Sequence, residues 1–267
     1  MLMGRLPALF LIMLLATSLP VEAVLTDAEA VNKSGRQRML SQRIVKNYLM
    51  LGAGVNTEVA QKQLDASIAL FEQQFLELSD YAPTQKIRDR LARVEEVWQQ
   101  YRVQALATPD RQDAIWVLRK SNELLTLSND VVTLIQQHAG GNNAKLVNVS
   151  GRQRMLSQRI AARYMAMAWG VDAEEIHGEL HDSITLFDES LQFLRAAPEN
   201  SAMIQKKLTK VQAQWQFSKA GFKGEKEGRY VPTVISVTTE SILRKMNELT
   251  GDYEALMESQ RQANADL

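Results

Sequence analysis

The arginine and glutamine side chains best suited to bind an anion occur at the same spacing in two segments of this chain. Residues 32–44 read NKSGRQRMLSQRI and residues 148–160 read NVSGRQRMLSQRI, so that within this motif only Lys33 and Val149 differ. Guanidinium groups present forked N–H donors that match planar oxyanions and carboxylates. Packing alone requires only hydrophobic residues of suitable size. The identity of the polar residues therefore indicates a function or a recent duplication.

Outside the motif the two segments match much less closely, which argues against a recent duplication. At the same offset of 116 residues the second segment repeats a few apolar positions, and Trp215 repeats Trp98 after one further inserted residue. The matched pairs are Tyr48 and Tyr164, Leu64 and Leu180, Ile68 and Ile184, and Phe71 and Phe187. We expect Trp98, Trp215, Phe71 and Phe187 to pack in a helical core. The repeat predicts two similar units in which the motif carries the function.

On a helical wheel of about 100° per residue, the first motif has two faces that can be buried. The core face carries Leu40, Ile44, Tyr48 and Leu51. Arg38 lies on a second face of small, apolar and amide residues, and Arg154 lies on the equivalent face of the other copy. These neighbours are Gly35, Gln42, Val45 and Leu49 in the first copy and Gly151, Gln158, Ala161 and Met165 in the second. We expect the two motif helices to pack together and to bring Arg38 and Arg154 close.

Two adjacent arginines create a candidate anion site, although a structural role is the competing interpretation. Two guanidinium charges about 7 Å apart repel each other by roughly 2.4 kcal/mol at an effective dielectric constant near 20. A bound anion would convert this repulsion into attraction, and Gln42 and Gln158 could add neutral donors. Alternatively, each arginine pairs with an Asp or Glu of a neighbouring helix and only stabilises the bundle. The spacing leaves both interpretations open.

The apolar periodicity predicts an all-α protein of two tandem up-down four-helix bundles. Glycine- and proline-containing breaks separate the helices, and residues 24–140 and 141–267 form the two predicted domains. Residues 230–239 are rich in β-branched side chains, and we interpret them as the entry to the last helix. The predicted helices span about 30–53, 57–80, 84–107, 110–138, 144–169, 172–196, 199–220 and 231–262.

The first 23 residues are typical of an export signal. A short basic start precedes an apolar run at residues 6–19, and the small-residue segment at residues 21–23 is a plausible cleavage site. We therefore predict a periplasmic protein, with an uncleaved N-terminal anchor as the alternative. The chain has no cysteine and no net charge at pH 7. Disulfides are thereby excluded, and general attraction to nucleic acid is not indicated.

No other residue pattern indicates catalysis or a cofactor. His177 and His181 are four residues apart on a predicted helix, a spacing that can bind zinc, but no third ligand is evident and the first copy has Gln61 and Asp65 there. We interpret them as surface histidines. There is no P-loop, dinucleotide fingerprint or nucleophile motif. We predict a protein that is not an enzyme.

The motif resembles a known family of sensory domains. Residues 30–43, AVNKSGRQRMLSQR, resemble the opening helix of the PilJ-type domain, the N-terminal periplasmic module of type IV pilus chemotaxis transducers. They are also similar to the signature helix of NarX/NarQ-type nitrate sensor kinases, and the second copy carries the match again. In the nitrate sensors the arginine before the methionine binds nitrate at a dimer interface. The resemblance implies this role for Arg38 and Arg154.

Other motif positions match the family less uniformly. The resemblance implies that Gly35 and Gly151 match the family's glycine, and that Arg43 and Arg159 support the site. Gln42, Gln158 and the additional arginines at 36 and 152 are closer to the pilus transducers, so nitrate is not implied.

We expect a sensory accessory protein that binds a small anionic or polar ligand. No membrane helix, coiled coil, kinase or methyl-accepting region follows the second repeat in this sequence. We therefore expect it to pass the signal by binding a membrane-bound sensor or transducer. The alternative is a ligand-free structural or adaptor bundle in a pilus, envelope or surface assembly.

Overall fold

The computed structural model describes residues 25–171, 173–222, 229 and 231–265, and the export signal predicted at residues 1–23 lies outside them. All regular secondary structure in the described residues is α-helical, which confirms the predicted all-α class. The helices are α1 Asp27–Gly52, α2 Thr57–Tyr81, α3 Gln85–Leu106, α4 Arg111–Ala139, α5 Gly141–Ala168, α6 Glu174–Ala196, α7 Ala202–Ala220 and α8 Pro232–Ala265. None of these helices combines the length and apolar character needed to cross a bilayer.

The observed boundaries follow the predicted ones closely, and the differences have local causes. The β-branched stretch is helical from Pro232 onward, as predicted. Helix α7 begins at Ala202 and not near residue 199, because the Ser201 hydroxyl accepts a hydrogen bond from the Ile204 amide and caps the helix there. Helix α5 begins at Gly141, three residues before the predicted start, so that only Gly140 (φ 71°) separates it from α4.

Helix α1, which carries the first motif, has a well-defined start. The Thr26 hydroxyl accepts a hydrogen bond from the Glu29 amide, and the Glu29 carboxylate accepts one from the Thr26 amide. This capping box satisfies two amides that have no partner within the helix. The acidic residues Asp27 and Glu29 also lie in the first turn, where the helix dipole favours negative charge. The motif therefore begins one turn inside a firmly anchored helix.

Helices α1 and α5 form the centre of the molecule. Helix α1 packs against α2, α4 and α5 and also contacts α8, while α5 packs against α6, α8 and α1 and also contacts α4. Both motif helices are consequently buried on almost every side, and the buried residues include the motif's polar side chains. Buried polar groups are costly unless they are hydrogen-bonded. The partners of these side chains therefore determine what the centre of the protein can do.

Each repeat has an aromatic core of the same composition. Phe71 stacks on Trp98 with ring centroids 4.0 Å apart, and Phe187 lies against Trp215 with centroids 4.1 Å apart. All four side chains are buried, as predicted for residues that build the bundle. These ring contacts join α2 to α3 and α6 to α7. The polar motif lies on the central helices, α1 and α5.

The end of α1 allows a test of the packing between the repeats. A Cβ atom at Gly52 would overlap the indole ring of Trp169, which also meets Tyr48 edge-on. We expect Gly52→Ala to lower the free energy of unfolding by about 1–3 kcal/mol, because the rigid ring would have to move. Urea unfolding monitored by circular dichroism measures this change.

Gly251 provides the matched control, because a Cβ there would meet no atom within 4 Å. Gly251→Ala should stabilise α8 by up to about 1 kcal/mol through its higher helix propensity. Equal effects of the two substitutions would contradict the proposed contact.

Candidate functional site

The two motif helices approach most closely at a pair of glycines. A Cβ atom built on Gly151 would lie 3.8 Å from the Cα of Gly35, so the two backbones meet almost without side chains between them. The same Cβ position lies 3.1 Å from Nη2 of Arg154 and 3.5 Å from Nη2 of Arg38. Both arginines therefore point into one helix crossing, as the wheel analysis predicted. A methyl group at Gly151 would crowd Nη2 of Arg154, whereas one at Gly35 would only make van der Waals contact with the guanidinium groups.

Arg38 binds only neutral oxygen atoms. Its Nη1 donates to Oδ1 of Asn129 at 2.9 Å, and its Nη2 donates to the carbonyl oxygen and to Oδ1 of Asn148 at 3.1 and 2.7 Å. Asn148 lies on α5, so these bonds join the first motif helix to the second. The Asn148 amide nitrogen donates in turn to Oε1 of Gln136 on α4 at 2.5 Å.

Arg154 makes nearly the reciprocal set of contacts. Its Nη2 donates to the carbonyl oxygen of Asn32 at 3.1 Å, and its Nη1 donates to Oδ1 of Asn247 on α8 at 3.3 Å. The Asn32 amide nitrogen donates to Oε2 of Glu254 at 2.5 Å. The arrangement thus has approximate internal two-fold symmetry, in which each repeat supplies the asparagine that receives the other repeat's arginine.

Neither guanidinium group is paired with a carboxylate in the part of the chain that the structure describes. Both side chains are completely buried, and Nε of each has no hydrogen-bond partner. Burial lowers the pKa of Arg38 to about 9, with a further contribution from the positive charge of Arg152. Burial also lowers the pKa of Arg154, assisted by repulsion from Arg36 and Arg38 and opposed by the negative charge of Glu254. Arginine side chains stay protonated in proteins at neutral pH, so the crossing holds two buried positive charges.

Arg43 lies further along α1 and, in contrast, pairs with a carboxylate. Its Nη2 is 2.8 Å from Glu240 of α8, and the same carboxylate binds Nζ of Lys46 at 2.5 Å. Lys46 is fully buried and also donates to Gln63 at 3.1 Å. Burial lowers the pKa of Lys46 to about 8, against the opposing effect of Glu240. This group of charges links α1 of the first repeat to α8 of the second.

Arg159 belongs to the corresponding group in the second repeat. It lies 3.6 Å from Glu179 of α6, whose carboxylate also accepts a 2.7 Å hydrogen bond from Nε of Arg163. Arg163 is fully buried and donates to Asn122 of α4 and to Oε1 of Gln42, at 2.5 and 2.9 Å. The second group of charges therefore links α5 and α6 to α1 and α4.

The motif glutamines lie between the arginine pair and these charge groups. Nε2 of Gln42 donates to the Ser121 carbonyl oxygen at 3.0 Å, and its Oε1 is occupied by Arg163. Nε2 of Gln158 is 3.3 Å from the Ser157 hydroxyl, while its Oε1 is buried without a partner. Of the eight residues that the sequence singled out, Arg38, Arg154, Gly35 and Gly151 meet at the helix crossing. Gln42, Gln158, Arg43 and Arg159 lie beyond it.

Several residues of this centre were not singled out by the sequence analysis. Asn32 and Asn148 are part of the repeated motif, and their identity in both copies was a usable signal. Lys46 and Arg163 occupy positions that differ between the copies. The second copy has Ala162 at the position of Lys46, and the first copy has Asn47 at the position of Arg163. Their role therefore could not be inferred from the repeat. Among the described residues no group of three or more His, Asp and Glu side chains could hold a metal ion.

The fold and this centre together define a class of protein: a duplicated helical bundle whose two signature helices cross over buried arginines. Comparison with known families gives the particular family. The model of the PilJ family, the N-terminal domain of type IV pilus methyl-accepting chemotaxis transducers, matches residues 22–122 and again residues 138–222. The chain belongs to this family, which is a family of sensory domains and not of catalytic ones. No curated protein and no solved structure matches the chain.

Proposed function

We propose that the protein is an exported sensory accessory protein that binds a small anion between Arg38 and Arg154. The observation that carries this proposal is the pair of fully buried guanidinium groups at one helix crossing, neither of which is paired with a carboxylate. A buried charge without a counter-charge is strongly unfavourable. Arg43 and Arg159, which lie on the same two helices, differ in that they pair with Glu240 and Glu179.

A small planar anion fits the donors that are present. Each arginine has one buried donor without a partner, Nε, and the terminal nitrogens of both arginines converge at the glycine crossing. Their Nη2 atoms bind backbone carbonyl oxygens of Asn148 and Asn32, and these are neutral acceptors that an anion can replace. Hydrogen bonds to charged partners are about twice as strong as neutral ones. The expected ligand is therefore an inorganic oxyanion or a small carboxylate.

The related nitrate sensors form the interface between two motif helices by dimerisation. In this protein the duplication would supply both helices within one chain. On this hypothesis the protein binds its ligand as a monomer, with residues 24–140 and 141–267 acting as the two halves. Light scattering of the mature protein tests this. A strict dimer that assembles through α1 would contradict it.

The proposed signalling route requires export and a partner. We propose that residues 1–23 direct the protein to the periplasm and that the ligand-bound form is recognised by a membrane-bound sensor or transducer. Membership in a family of chemotaxis transducer domains supports this route.

Anion binding is tested by isothermal titration of the mature protein with nitrate, nitrite, formate and acetate. We expect saturable binding of at least one anion. Arg38→Ala and Arg154→Ala should each weaken it by about tenfold to a hundredfold, because each removes a charge-assisted hydrogen bond worth about 1.5–3 kcal/mol. Arg93→Ala, in a solvent-exposed residue of α3, serves as the control and should leave the affinity unchanged.

The second candidate function is a ligand-free adaptor bundle. It is favoured by the neutral partners that already occupy Nη1 and Nη2 of both arginines. Absence of binding across the anion panel by a folded protein would support this candidate and reject the sensory proposal.

A further inference from the structure

A cleft of about 450 Å³ opens on the surface between α5 and α6 of the second repeat and α4 of the first. Neither Arg38 nor Arg154 lines it, so it is distinct from the helix crossing. A smaller cleft of about 260 Å³ adjoins it and shares two of its residues, Lys145 and Phe193. The larger cleft is lined by Thr133, Gln136, Lys145, Asn148, Val149, Arg152, Leu186, Glu189, Ser190 and Phe193. Its volume is within the range of small-molecule sites.

The first repeat has an ion pair at the equivalent position. At the offset of 116 residues, Val149 and Phe193 correspond to Lys33 and Glu77, whose side chains form a 2.8 Å ion pair. Val149 and Lys33 are also the one difference within the repeated motif. Valine and phenylalanine in place of the ion pair remove both charges and give the cleft an apolar wall.

The two positions also differ in charge. In the first repeat Arg36 has two acidic neighbours, Glu254 and Glu77, which both raise its pKa against the effect of burial. Its counterpart Arg152 has no such neighbour, and burial alone lowers its pKa. Arg152 makes no hydrogen bond or ion pair with any described residue. The cleft in the second repeat thus presents a half-buried cation that forms no ion pair, although the carboxylate of Glu189 also lines the cleft.

The other residues that line the cleft indicate which chemical groups a ligand would need. Lys145 lies with its Nζ 4.8 Å from the centroid of the Phe193 ring, at the junction of the two clefts. Phe193 is 40% exposed and forms an apolar wall with Val149 and Leu186. Gln136 and Ser190 supply neutral polar groups. The cleft is lined by two cations and one carboxylate, that of Glu189, so its charged side chains carry a net positive charge. A positive cleft with an apolar wall matches a molecule with an acidic group and an apolar body.

We propose that this cleft is a second binding site, for an organic carboxylate that carries an aromatic or branched apolar group. The carboxylate is held by Arg152 and Lys145, and the apolar group packs on Phe193, Val149 and Leu186. Asn148 lines the cleft and also accepts a hydrogen bond from Arg38. The side chain of Asn148 therefore connects the cleft to the helix crossing. The inference does not depend on anion binding by Arg38 and Arg154.

Benzoate is a suitable probe, with benzamide as the neutral molecule of nearly the same shape. We expect benzoate to shift the backbone amide resonances of residues 145–152 and 186–193 in a two-dimensional NMR titration. Benzamide should bind at least about tenfold more weakly, which corresponds to the loss of about 1.4 kcal/mol of charge-assisted binding. Arg152→Gln should weaken benzoate binding by a similar factor.

The internal repeat supplies the control and a variant that closes the cleft. Arg36→Gln alters the equivalent arginine of the first repeat and should change the benzoate affinity by less than about twofold. The double variant Val149→Lys/Phe193→Glu installs the ion pair of the first repeat, and we expect it to abolish binding.

Three outcomes overturn the proposal: no shifts in residues 145–152 and 186–193 at saturating benzoate, equal loss of affinity in Arg36→Gln and Arg152→Gln, or full binding by the closed double variant. Shifts centred instead on residues 35–38 and 151–154 would place benzoate at the helix crossing. They would therefore also reject the second site.

Discussion

Replacement of Glu240 with glutamine is expected to lower the free energy of unfolding by about 3 kcal/mol, one of the largest effects of a single substitution in this protein. Glu240 is the carboxylate between Lys46 and Arg43, and its side chain is 22% exposed. The substitution preserves the shape of the side chain but removes its charge. The pKa of the fully buried Lys46, already lowered to about 8 by burial, would then lose the opposing effect of Glu240 and fall further. The folded protein would have to bury an uncompensated charge or release the proton from Lys46, and both are costly. Urea unfolding at pH 7 measures the loss.

Two further variants separate this cause from a general effect of glutamine. Glu58→Gln removes the carboxylate of the solvent-exposed pair with Lys62 and should leave stability unchanged within experimental error. Lys46→Met in the Glu240→Gln background removes the uncompensated charge and should restore at least half of the loss. The second repeat has Ala162 at the position of Lys46, so an uncharged side chain is compatible with this environment. A double variant no more stable than Glu240→Gln would refute the electrostatic explanation.

The two charge groups also fix the position of the central helices. Glu240 attaches α8 of the second repeat to α1 of the first, while Arg163 attaches α5 of the second to Gln42 of α1. Both links lie on the same side of the glycine crossing, toward the C-terminal ends of α1 and α5. They hold the two helices in the register at which Arg38 and Arg154 meet. The stabilising charges and the uncompensated arginines therefore occupy different parts of the same interface.

The sequence predicted the helices and the crossing because both depend on local patterns. The spacing of apolar residues determined the helical ranges, and the repeat showed that two helices carry the same second face. A glycine beside an arginine on that face predicted close packing, and the structure has Gly35 opposite Gly151. The aromatic core was predictable for the same reason, since Trp98 and Trp215 recur at matched positions.

The partners of the charged side chains could not be predicted in this way. Glu240 is separated from Lys46 by nearly two hundred residues, and the pairing depends on which helix of the other repeat lies beside α1. The contact also breaks the symmetry of the repeat, because Lys46 corresponds to Ala162 and Arg163 corresponds to Asn47. The cleft beside Arg152 was hidden for a related reason. It is lined by Val149 and Phe193, which stand where the first repeat has the ion pair of Lys33 and Glu77. The helical spacing of apolar residues does not reveal such a difference.

Replacement of Arg154 with methionine is expected to raise the free energy of unfolding of the ligand-free protein by about 1–3 kcal/mol. Arg154 is fully buried and forms no ion pair, and the favourable effect of Glu254 on it is smaller than the cost of burial. An apolar side chain of similar length removes that cost. The lost hydrogen bonds are modest, since one partner is the Asn32 carbonyl oxygen and the other is Asn247 at 3.3 Å. The same variant should bind the anion about tenfold to a hundredfold more weakly, so stability and binding should change in opposite directions.

Arg163→Met is the matched comparison and should have the opposite effect on stability. Arg163 is equally buried and lies on the same helix, but it is paired with Glu179. Its removal would leave that carboxylate with only the more distant Arg159 as a cationic partner, at 3.6 Å. We expect a loss of about 3 kcal/mol. If both variants are destabilised equally, then Arg154 contributes to the bundle as an ordinary structural residue, and the argument for a ligand between the two arginines fails. If they differ in sign, the helix crossing keeps two charges at a cost in stability that anion binding explains.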